Sequence, residues 1–339
     1  MKRTFLYLTI LFSLCVSIGA GQSSRGPVKL ALYPAKVAEP AQTYRLLVRP
    51  EKQTDEDAMP LYEKAIQLMP KDVNRIQIQE WLSLPLEKLS QKEAEEAVQK
   101  YIESLRLLAQ AAQCKRCNWP AWKPVDPLPD LISYRDLAFV IRLRARLDIS
   151  RDEYKGALAA IETGFSMARH LEGAPTVIHS LVGVAVGAMM CGELEQFVQR
   201  KNSPNLYTAI VELPKPLVDM EKAIGKENAY LKDSGAAAQE QSENQSEPGY
   251  DRARVITRRL DNHVNALQVV EAIRHYAATH DGQLPQTLSD IKDMAVPNDL
   301  MSGKAFEYRR TDTGAALQAA IPQGGNERDA VRYEIVLRK

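Results

Sequence analysis

The 339-residue chain has very little net charge, formally +1, because 44 lysines and arginines nearly balance 43 aspartates and glutamates. A protein that binds nucleic acid carries a clustered basic excess that matches the phosphate backbone, so this balance argues against a nucleic-acid partner. Aromatic residues are also scarce, at 6%. The hydrophobic share of 45% is nevertheless ordinary for a globular protein, and it suffices for one large core or, as the length favours, two medium ones.

Recognisable catalytic motifs are missing as well. The sequence contains no G-x-S-x-G, no phosphate-binding glycine loop, no dinucleotide-binding fingerprint and no H-E-x-x-H pair. Five histidines are spread over three predicted helices: His170, His179, His263, His275 and His280. His179 begins the most apolar predicted helix, which favours a buried, hydrogen-bonded core histidine over a ligand or a base. We therefore predict no catalytic residues, no metal-binding residues and no cofactor.

Cysteine is rare, with four in the chain, and Cys15 belongs to the N-terminal apolar segment. Cys114 and Cys117 form a C-x-x-C, the only motif with catalytic associations. A redox cysteine is activated at a helix N-terminus, whereas this pair follows a predicted helix C-terminus, where the dipole has the wrong sign for a thiolate. No second C-x-x-C completes a zinc site. Two alternatives stay open, a small structural disulfide or two unpaired cysteines.

The first 21 residues are typical of a secretory signal peptide. Lys2 and Arg3 form a positive start, residues 5–18 are almost wholly apolar, and residues 19–21 are small enough for signal peptidase. The alternative is a retained anchor, but the apolar run is shorter than the roughly 20 residues that a membrane span requires. We predict an exported protein, periplasmic or secreted, with no membrane span after signal cleavage.

Three segments of different composition follow. Residues 22–54 contain several prolines and predict an extended lead-in, in which 44–48 is the only strand-like run. Residues 55–232 repeat apolar side chains at helical spacing and predict an all-α domain. Residues 233–250 contain no large aliphatic side chain, so they cannot bury enough apolar surface to fold and predict a flexible linker.

The last segment, residues 251–339, changes character along its length. One long helix is predicted for residues 251–279, and Asp281 and Gly282 end it. Three strand-like runs follow, at residues 306–310, 315–320 and 331–337. The predicted fold class is therefore mainly α, with a helical domain followed by a small α+β domain that combines a long helix with a short antiparallel sheet.

The most apolar stretch after the signal covers residues 176–191. Gly183 and Gly187, four residues apart, would suit close helix packing in a membrane. The stretch is short, however, and contains His179. We expect a central helix of the protein core, in which the glycines let neighbouring helices approach.

Two places in the helical segment resemble tetratricopeptide-type repeats, in which small and aromatic residues at fixed offsets let paired helices pack closely. The matching residues are Ala58, Tyr62, Ala65 and Pro70 in the first place, and Tyr154, Ala157, Ile161 and Gly164 in the second. The resemblance implies a helical-repeat (α-solenoid) domain. The alternative is a generic helical bundle, in which small residues occur at such spacings by chance.

The region around residues 266–310 resembles the globular head of the major pseudopilin of type II secretion. The matching positions are Asp281, Gly282, Pro285, Thr287, Leu288, Ile291, Asn298, Asp299, Gly303, Phe306, Tyr308 and Arg309. The resemblance implies the fold of that head but not the pilus role, because the helix is not continuous with the N-terminal apolar segment. Such heads can hold calcium in a late loop. The corresponding Asn326, Glu327 and Asp329 lack a defined ligand spacing, and we expect a solvated turn.

These observations favour a non-enzymatic protein-binding or scaffold protein of the cell envelope, with a protein partner of unknown identity. Helical stacks bind through extended faces and need no catalytic group. Two alternatives stay open: an envelope hydrolase with an unrecognised carboxylate site, and an accessory component of a type II secretion or pilus-like system.

Overall fold

The computed structural model describes residues 26–37, 44–121, 131–233, 248–321, 325, 327 and 330–338. The predicted signal peptide (residues 1–21) and most of the predicted linker (residues 234–247) lie outside the described residues.

Helices dominate the described chain, which confirms the mainly α class. Ten α-helices are present there: α1 Met59–Gln67, α2 Arg75–Ser83, α3 Gln91–Lys100, α4 Ile102–Ala112, α5 Leu131–Ser150, α6 Tyr154–Glu172, α7 Val177–Phe197, α8 Tyr207–Val211, α9 Met220–Asp233 and α10 Pro248–Thr279. Three single-turn 3₁₀ helices, Pro50–Lys52, Leu86–Lys88 and Leu288–Asp290, accompany them.

The six strands are β1 Val28–Leu32, β2 Thr54–Asp57, β3 Cys114–Arg116, β4 Glu307–Thr311, β5 Gly314–Gln318 and β6 Arg332–Leu337. β2 and β3 form a parallel pair, and the other four form one sheet in the order β1-β6-β5-β4. The three predicted C-terminal strands are confirmed, and β5 is antiparallel to both β4 and β6. The prediction of a purely antiparallel sheet is wrong, because β1 pairs with β6 in parallel, with Val28 opposite Tyr333.

The N-terminal lead-in, residues 22–54, also differs from the prediction in the position of its strand. Residues 44–48, the expected strand, form no strand, and Leu46 instead inserts into the main core with 1% of its surface exposed. The strand lies earlier, at β1. Leu30 and Leu32 alternate with more exposed neighbours and are fully buried against the C-terminal sheet region, as the two-residue period of a strand requires.

Helices α5, α6 and α7 form the centre of the largest hydrophobic cluster. α7 is long and apolar enough to cross a membrane, but 72% of its most apolar 18-residue stretch is buried inside the protein. A core helix of a soluble protein passes the same test. The buried environment of α7 fits the expectation of a central helix of the core.

Glycines set the spacing of α7 from its neighbours. A Cβ on Gly183 would lie 2.7 Å from the backbone oxygen of Ala168 in α6, and one on Gly187 would lie 2.9 Å from the Leu260 side chain in α10. Both separations are shorter than van der Waals contact. The two glycines therefore permit the close approach of two different helices, α6 and α10, to α7, and close packing at these glycines is what the sequence indicated.

Most of the residues that carry the repeat resemblance are buried, whereas Pro70 and Tyr154 are only partly buried. Ala58, Tyr62, Ala65, Ala157 and Ile161 each expose 1% or less of their surface and belong to the main cluster. Burial of small and aromatic side chains at these positions is compatible with a repeat and with a bundle alike. The α-solenoid stays a prediction.

Helix α10 belongs to two hydrophobic clusters. Its first half, including Leu260 and Val264, packs into the main cluster, whereas Val269, Val270 and Ile273 pack with the β1-β6-β5-β4 sheet. The helix ends at Asp281 and Gly282, which both have positive φ, and the amide of Gly282 donates to the carbonyl of Ala277. A continuous helix thus joins the sheet to the helical body.

Candidate functional site

Cys114 and Cys117 are unpaired cysteines, one of the two alternatives left open by the sequence. Cys114 begins strand β3, and in an extended chain residues three apart lie roughly 10 Å apart, farther than a disulfide reaches. Burial raises the pKa of Cys114 and raises that of Cys117 to about 12. Both groups are therefore neutral thiols at physiological pH, which is unsuitable for a redox nucleophile.

His179 is a buried, hydrogen-bonded core histidine, as the sequence predicted. It is fully buried, its Nδ1 lies 2.6 Å from the Thr176 hydroxyl, and burial lowers its pKa to about 4. His170 is similar, since its ring nitrogens lie 2.8 Å from the Tyr62 hydroxyl and 3.1 Å from the Cys114 carbonyl oxygen. Burial lowers its pKa too. The His170 imidazole therefore links α6 to α1 and β3, whereas the His179 hydrogen bond joins the first turn of α7 to the residue that caps it.

The remaining histidines lie on or just after α10 and do not converge. His275 accepts a hydrogen bond from the Val37 amide through Nδ1 (3.0 Å), and His280 stacks on Tyr276 at 3.8 Å between ring centroids. His263 Nε2 lies 2.8 Å from Glu195 Oε1. The same carboxylate oxygen accepts a hydrogen bond from the Tyr333 hydroxyl at 2.7 Å.

The Glu195, His263 and Tyr333 cluster has one feature of an oriented catalytic base, because a carboxylate holds an imidazole. Its three members come from α7, α10 and β6, and Glu195 and Tyr333 are buried. The cluster therefore ties the sheet to both helices. This structural role accounts for the two hydrogen bonds on Glu195.

Polar residues on one face of α10 were not singled out by the sequence. They recur three or four residues apart and are buried: Asp261, Asn265, Gln268 and Glu271. Lys215 Nζ donates to Asn265 and Gln268 at 2.8 and 3.3 Å, and Glu271 accepts from the Leu206 amide at 2.9 Å. The face holds the segment between α7 and α9 against α10.

Asp261 is the carboxylate of this face with the most altered acidity. It accepts a hydrogen bond from the Leu217 amide at 2.8 Å, and burial outweighs that bond and the nearby Lys215 charge to raise its pKa to about 6. The folded pKa thus exceeds the unfolded value of about 3.9. Above pH 6 the buried Asp261 carboxylate is ionised, which lowers the free energy of unfolding. This penalty disappears as the pH falls toward 4, because the carboxyl becomes protonated in the folded protein.

We expect Asp261→Asn to raise the free energy of unfolding at pH 8 by about 2 kcal/mol, because the amide keeps an oxygen acceptor without the buried charge. The gain should vanish near pH 4. Urea unfolding followed by circular dichroism across this range measures both values. Asp293→Asn, a change at an exposed carboxylate, serves as the control and should alter stability by less than about 0.5 kcal/mol. A destabilised Asp261→Asn protein at pH 8 would contradict the assignment.

Asp299 lies in the loop where the sequence indicated a pseudopilin-like aspartate. Its carboxylate accepts hydrogen bonds from the Ser302 hydroxyl (2.7 Å), the Met301 and Ala320 amides (both 3.0 Å) and the Asn262 side chain (2.7 Å). Burial opposes ionisation, yet these bonds prevail and lower the pKa. The oxygens are engaged by protein donors and stabilise the loop.

Metal binding finds no support among the described residues, which contain no group of three histidine, cysteine or acidic side chains suited to an ion. Of the late-loop positions considered for calcium, Asn326 and Asp329 lie outside the described residues. Glu327 is exposed and forms an ion pair with Arg332 at 2.7 Å.

Four exposed aliphatic side chains lie within four residues of contacts that join the first five helices: Leu68, Ile76, Ile102 and Ile132, exposed by 45%, 67%, 38% and 53%. We call them the junction surface. Three contacts bring these helices together. Ser104 donates to the Ala65 carbonyl, Lys100 pairs with Asp72 at 3.0 Å, and Arg75 pairs with Asp136 at 2.6 Å.

The junction surface has the composition of a binding surface. Exposure of large aliphatic side chains to water is unfavourable. Where such side chains form a contiguous patch on a protein surface, the patch marks an interaction site. The Lys100–Asp72 and Arg75–Asp136 pairs are close to these residues in the sequence, and such charges are typical of the polar rim of an interface. Comparison with known protein families, with curated proteins and with solved structures finds no match for this chain.

Proposed function

We propose that the chain is an exported, non-enzymatic protein that binds another protein of the cell envelope through the junction surface. The observation that carries the proposal is the exposure of Leu68, Ile76, Ile102 and Ile132 near the contacts that join the first five helices. The partner presents an apolar segment flanked by charges, since burial of about 25 cal/mol per Å² of apolar surface supplies the affinity and the ion pairs set the orientation.

The polar clusters support a binding role over hydrolysis. Asp299 and Glu271 are each occupied by several protein hydrogen-bond donors, and the Glu195 carboxylate holds both His263 and Tyr333. A hydrolase with a carboxylate site needs oxygens that face a substrate. These groups instead connect elements of the fold.

We expect Ile76→Asp with Ile132→Asp to lower the yield of a cross-linked partner about tenfold or more, because charged side chains cannot be buried in an apolar contact. The full-length gene, tagged at its C-terminus, would be expressed in its native host. Envelope fractions would then be cross-linked mildly, and captured proteins would be quantified by mass spectrometry.

Val211→Asp with Val255→Asp is the matched control, since these valines are 45% and 39% exposed but lie elsewhere on the fold. The control should retain the partner at the original yield. Equal capture by both double variants would contradict binding through the junction surface. Capture of nothing by the unchanged protein would contradict the scaffold function itself, and a captured secretion component would favour the accessory role in such a machine.

A further inference from the structure

A pocket of about 300 Å³ opens between residues 45–52, the end of α4 and the side of α6. Its polar walls are Arg45, Arg49, Lys52, Gln113 and Glu162, and aliphatic side chains of the 45–52 segment complete it. This volume is at the lower end of the range for small-molecule sites. The pocket is therefore suited to a ligand no larger than a short peptide.

Among the described residues, two of the three cationic groups in the pocket have at most a weak ionic partner and can receive an anion. Arg45 is already paired with Glu212. Arg49 only approaches the exposed Glu51, at 3.8 Å, and Lys52 makes no ion pair with any described residue. Arg49 and Lys52 therefore offer a positive end for a carboxylate.

Glu162 on α6 forms the opposite charge of the pocket. Its carboxyl has no hydrogen bond or ion pair with another described residue. Burial raises the pKa of this carboxyl, because it disfavours the ionised form and no described residue supplies a compensating cation. A cation brought by a ligand would remove this penalty, since it would supply the missing counter-charge.

We propose that this pocket binds a small zwitterion of the amino-acid or short-peptide class, with the ammonium group on Glu162 and the carboxylate on Arg49 and Lys52. Gln113 supplies amide hydrogen bonds between the two ends. A zwitterion is favoured over a ligand with a single charge because the pocket has a carboxylate at one end and two cations at the other. A simple anion would leave Glu162 unpaired, and a simple cation would leave Arg49 and Lys52 unpaired. None of the residues of the junction surface lines this pocket, so the site is independent of the protein-binding function.

The first test is titration calorimetry of residues 22–339, the chain that follows the predicted signal peptide. Glycine, diglycine and triglycine are the probes. Each added residue separates the two charges by roughly 3.5 Å, so the series covers the spacings that the pocket can accept. We expect at least one of them to bind about tenfold more tightly than its N-acetyl and C-amide derivatives, each of which lacks one charge. The absence of binding by all three at millimolar concentration, or equal binding of the blocked forms, would overturn the proposal.

Single variants then assign the two ends. E162Q should weaken the zwitterion about tenfold and leave the N-acetyl form unchanged, whereas K52Q should weaken the zwitterion and leave the C-amide form unchanged. Glu63 and Lys64 lie on the exposed side of α1, and E63Q and K64Q are the matched controls, with no expected change. Thermal unfolding of each variant verifies that the fold is intact. Loss of both derivatives in parallel with the zwitterion would contradict the assignment of ends.

Discussion

Replacement of Arg274 by methionine is expected to lower the free energy of unfolding by about 3–5 kcal/mol, the largest effect of any substitution considered for this protein. The Arg274 side chain is 1% exposed and its Nη1 lies 2.9 and 3.1 Å from the two oxygens of Glu271, which is fully buried. Nη2 donates to the Ser203 carbonyl oxygen at 2.8 Å, and Nε donates to that of Tyr33 at 3.0 Å. The variant leaves a buried carboxylate without its cation, and it removes the donor from the carbonyl oxygens of Tyr33, Ser203 and Pro204.

A double-mutant cycle separates the ion pair from the packing of the side chains. Glu271→Leu combined with Arg274→Met should destabilise less than the sum of the single changes, because the apolar pair contains no uncompensated charge. Arg254→Met is the control on the same helix, where the arginine is 39% exposed and pairs with Glu221 and Asp251. Exposed pairs contribute less than about 1 kcal/mol. Equal losses at Arg274 and Arg254 in denaturant titrations would contradict the structural role of the buried pair.

Gly183→Ala is expected to lower the free energy of unfolding by about 2–3 kcal/mol, since the added methyl group forces α6 and α7 apart. Its Cβ would lie 2.7 Å from the Ala168 carbonyl oxygen and 3.2 Å from Leu171 Cβ. The nearest atom belongs to the backbone and cannot rotate away. Overpacking at Gly183 therefore displaces a helix. At a position where the nearest atom belongs to a side chain, only that side chain would move.

Gly192→Ala provides a matched control within the same helix. Apart from the adjacent backbone of its own helix, no atom of the described residues lies within 4 Å of its added Cβ, so alanine should stabilise the protein by about 0.5–1 kcal/mol through its better helix propensity. Chemical denaturation of the two variants side by side gives the comparison. A neutral or stabilising Gly183→Ala would show that α6 and α7 are less tightly packed than the structure indicates.

Local patterns in the sequence were sufficient for most of the elements. The strand runs near residues 306–337 and the helix ended by Asp281 and Gly282 depend on neighbours within a few positions, as periodicity and turn chemistry do. Helix α2 was not foreseen, although Asn74 caps it by accepting hydrogen bonds from the Ile76 and Gln77 amides. Four of its nine residues are apolar, but Ile76 is exposed and lies off the buried face formed by Ile78, Trp81 and Leu82, which weakens the hydrophobic pattern.

Strand β1 illustrates the limit of local patterns. Its five residues read Val-Lys-Leu-Ala-Leu, a run too short to be distinguished from irregular chain. The strand exists because it pairs with β6, far along the chain, and because Leu30 and Leu32 fill the space beside α10. Residues 44–48 carry a similar pattern but have no strand to pair with among the described residues.

The sequence by itself determined the helical class, the C-terminal strands and the burial of His179, because these follow from hydrophobic periodicity and from the preference of apolar surroundings for a neutral imidazole. The tertiary structure alone decided which polar residues are paired. The Asp261 face of α10 has the spacing of a solvated stripe, and only its contact with the segment between α7 and α9 makes it buried. The pocket between Arg49 and Glu162 likewise combines residues distant in sequence. Hydrogen-bond partners and cavities are properties of packing between segments, which no local pattern specifies.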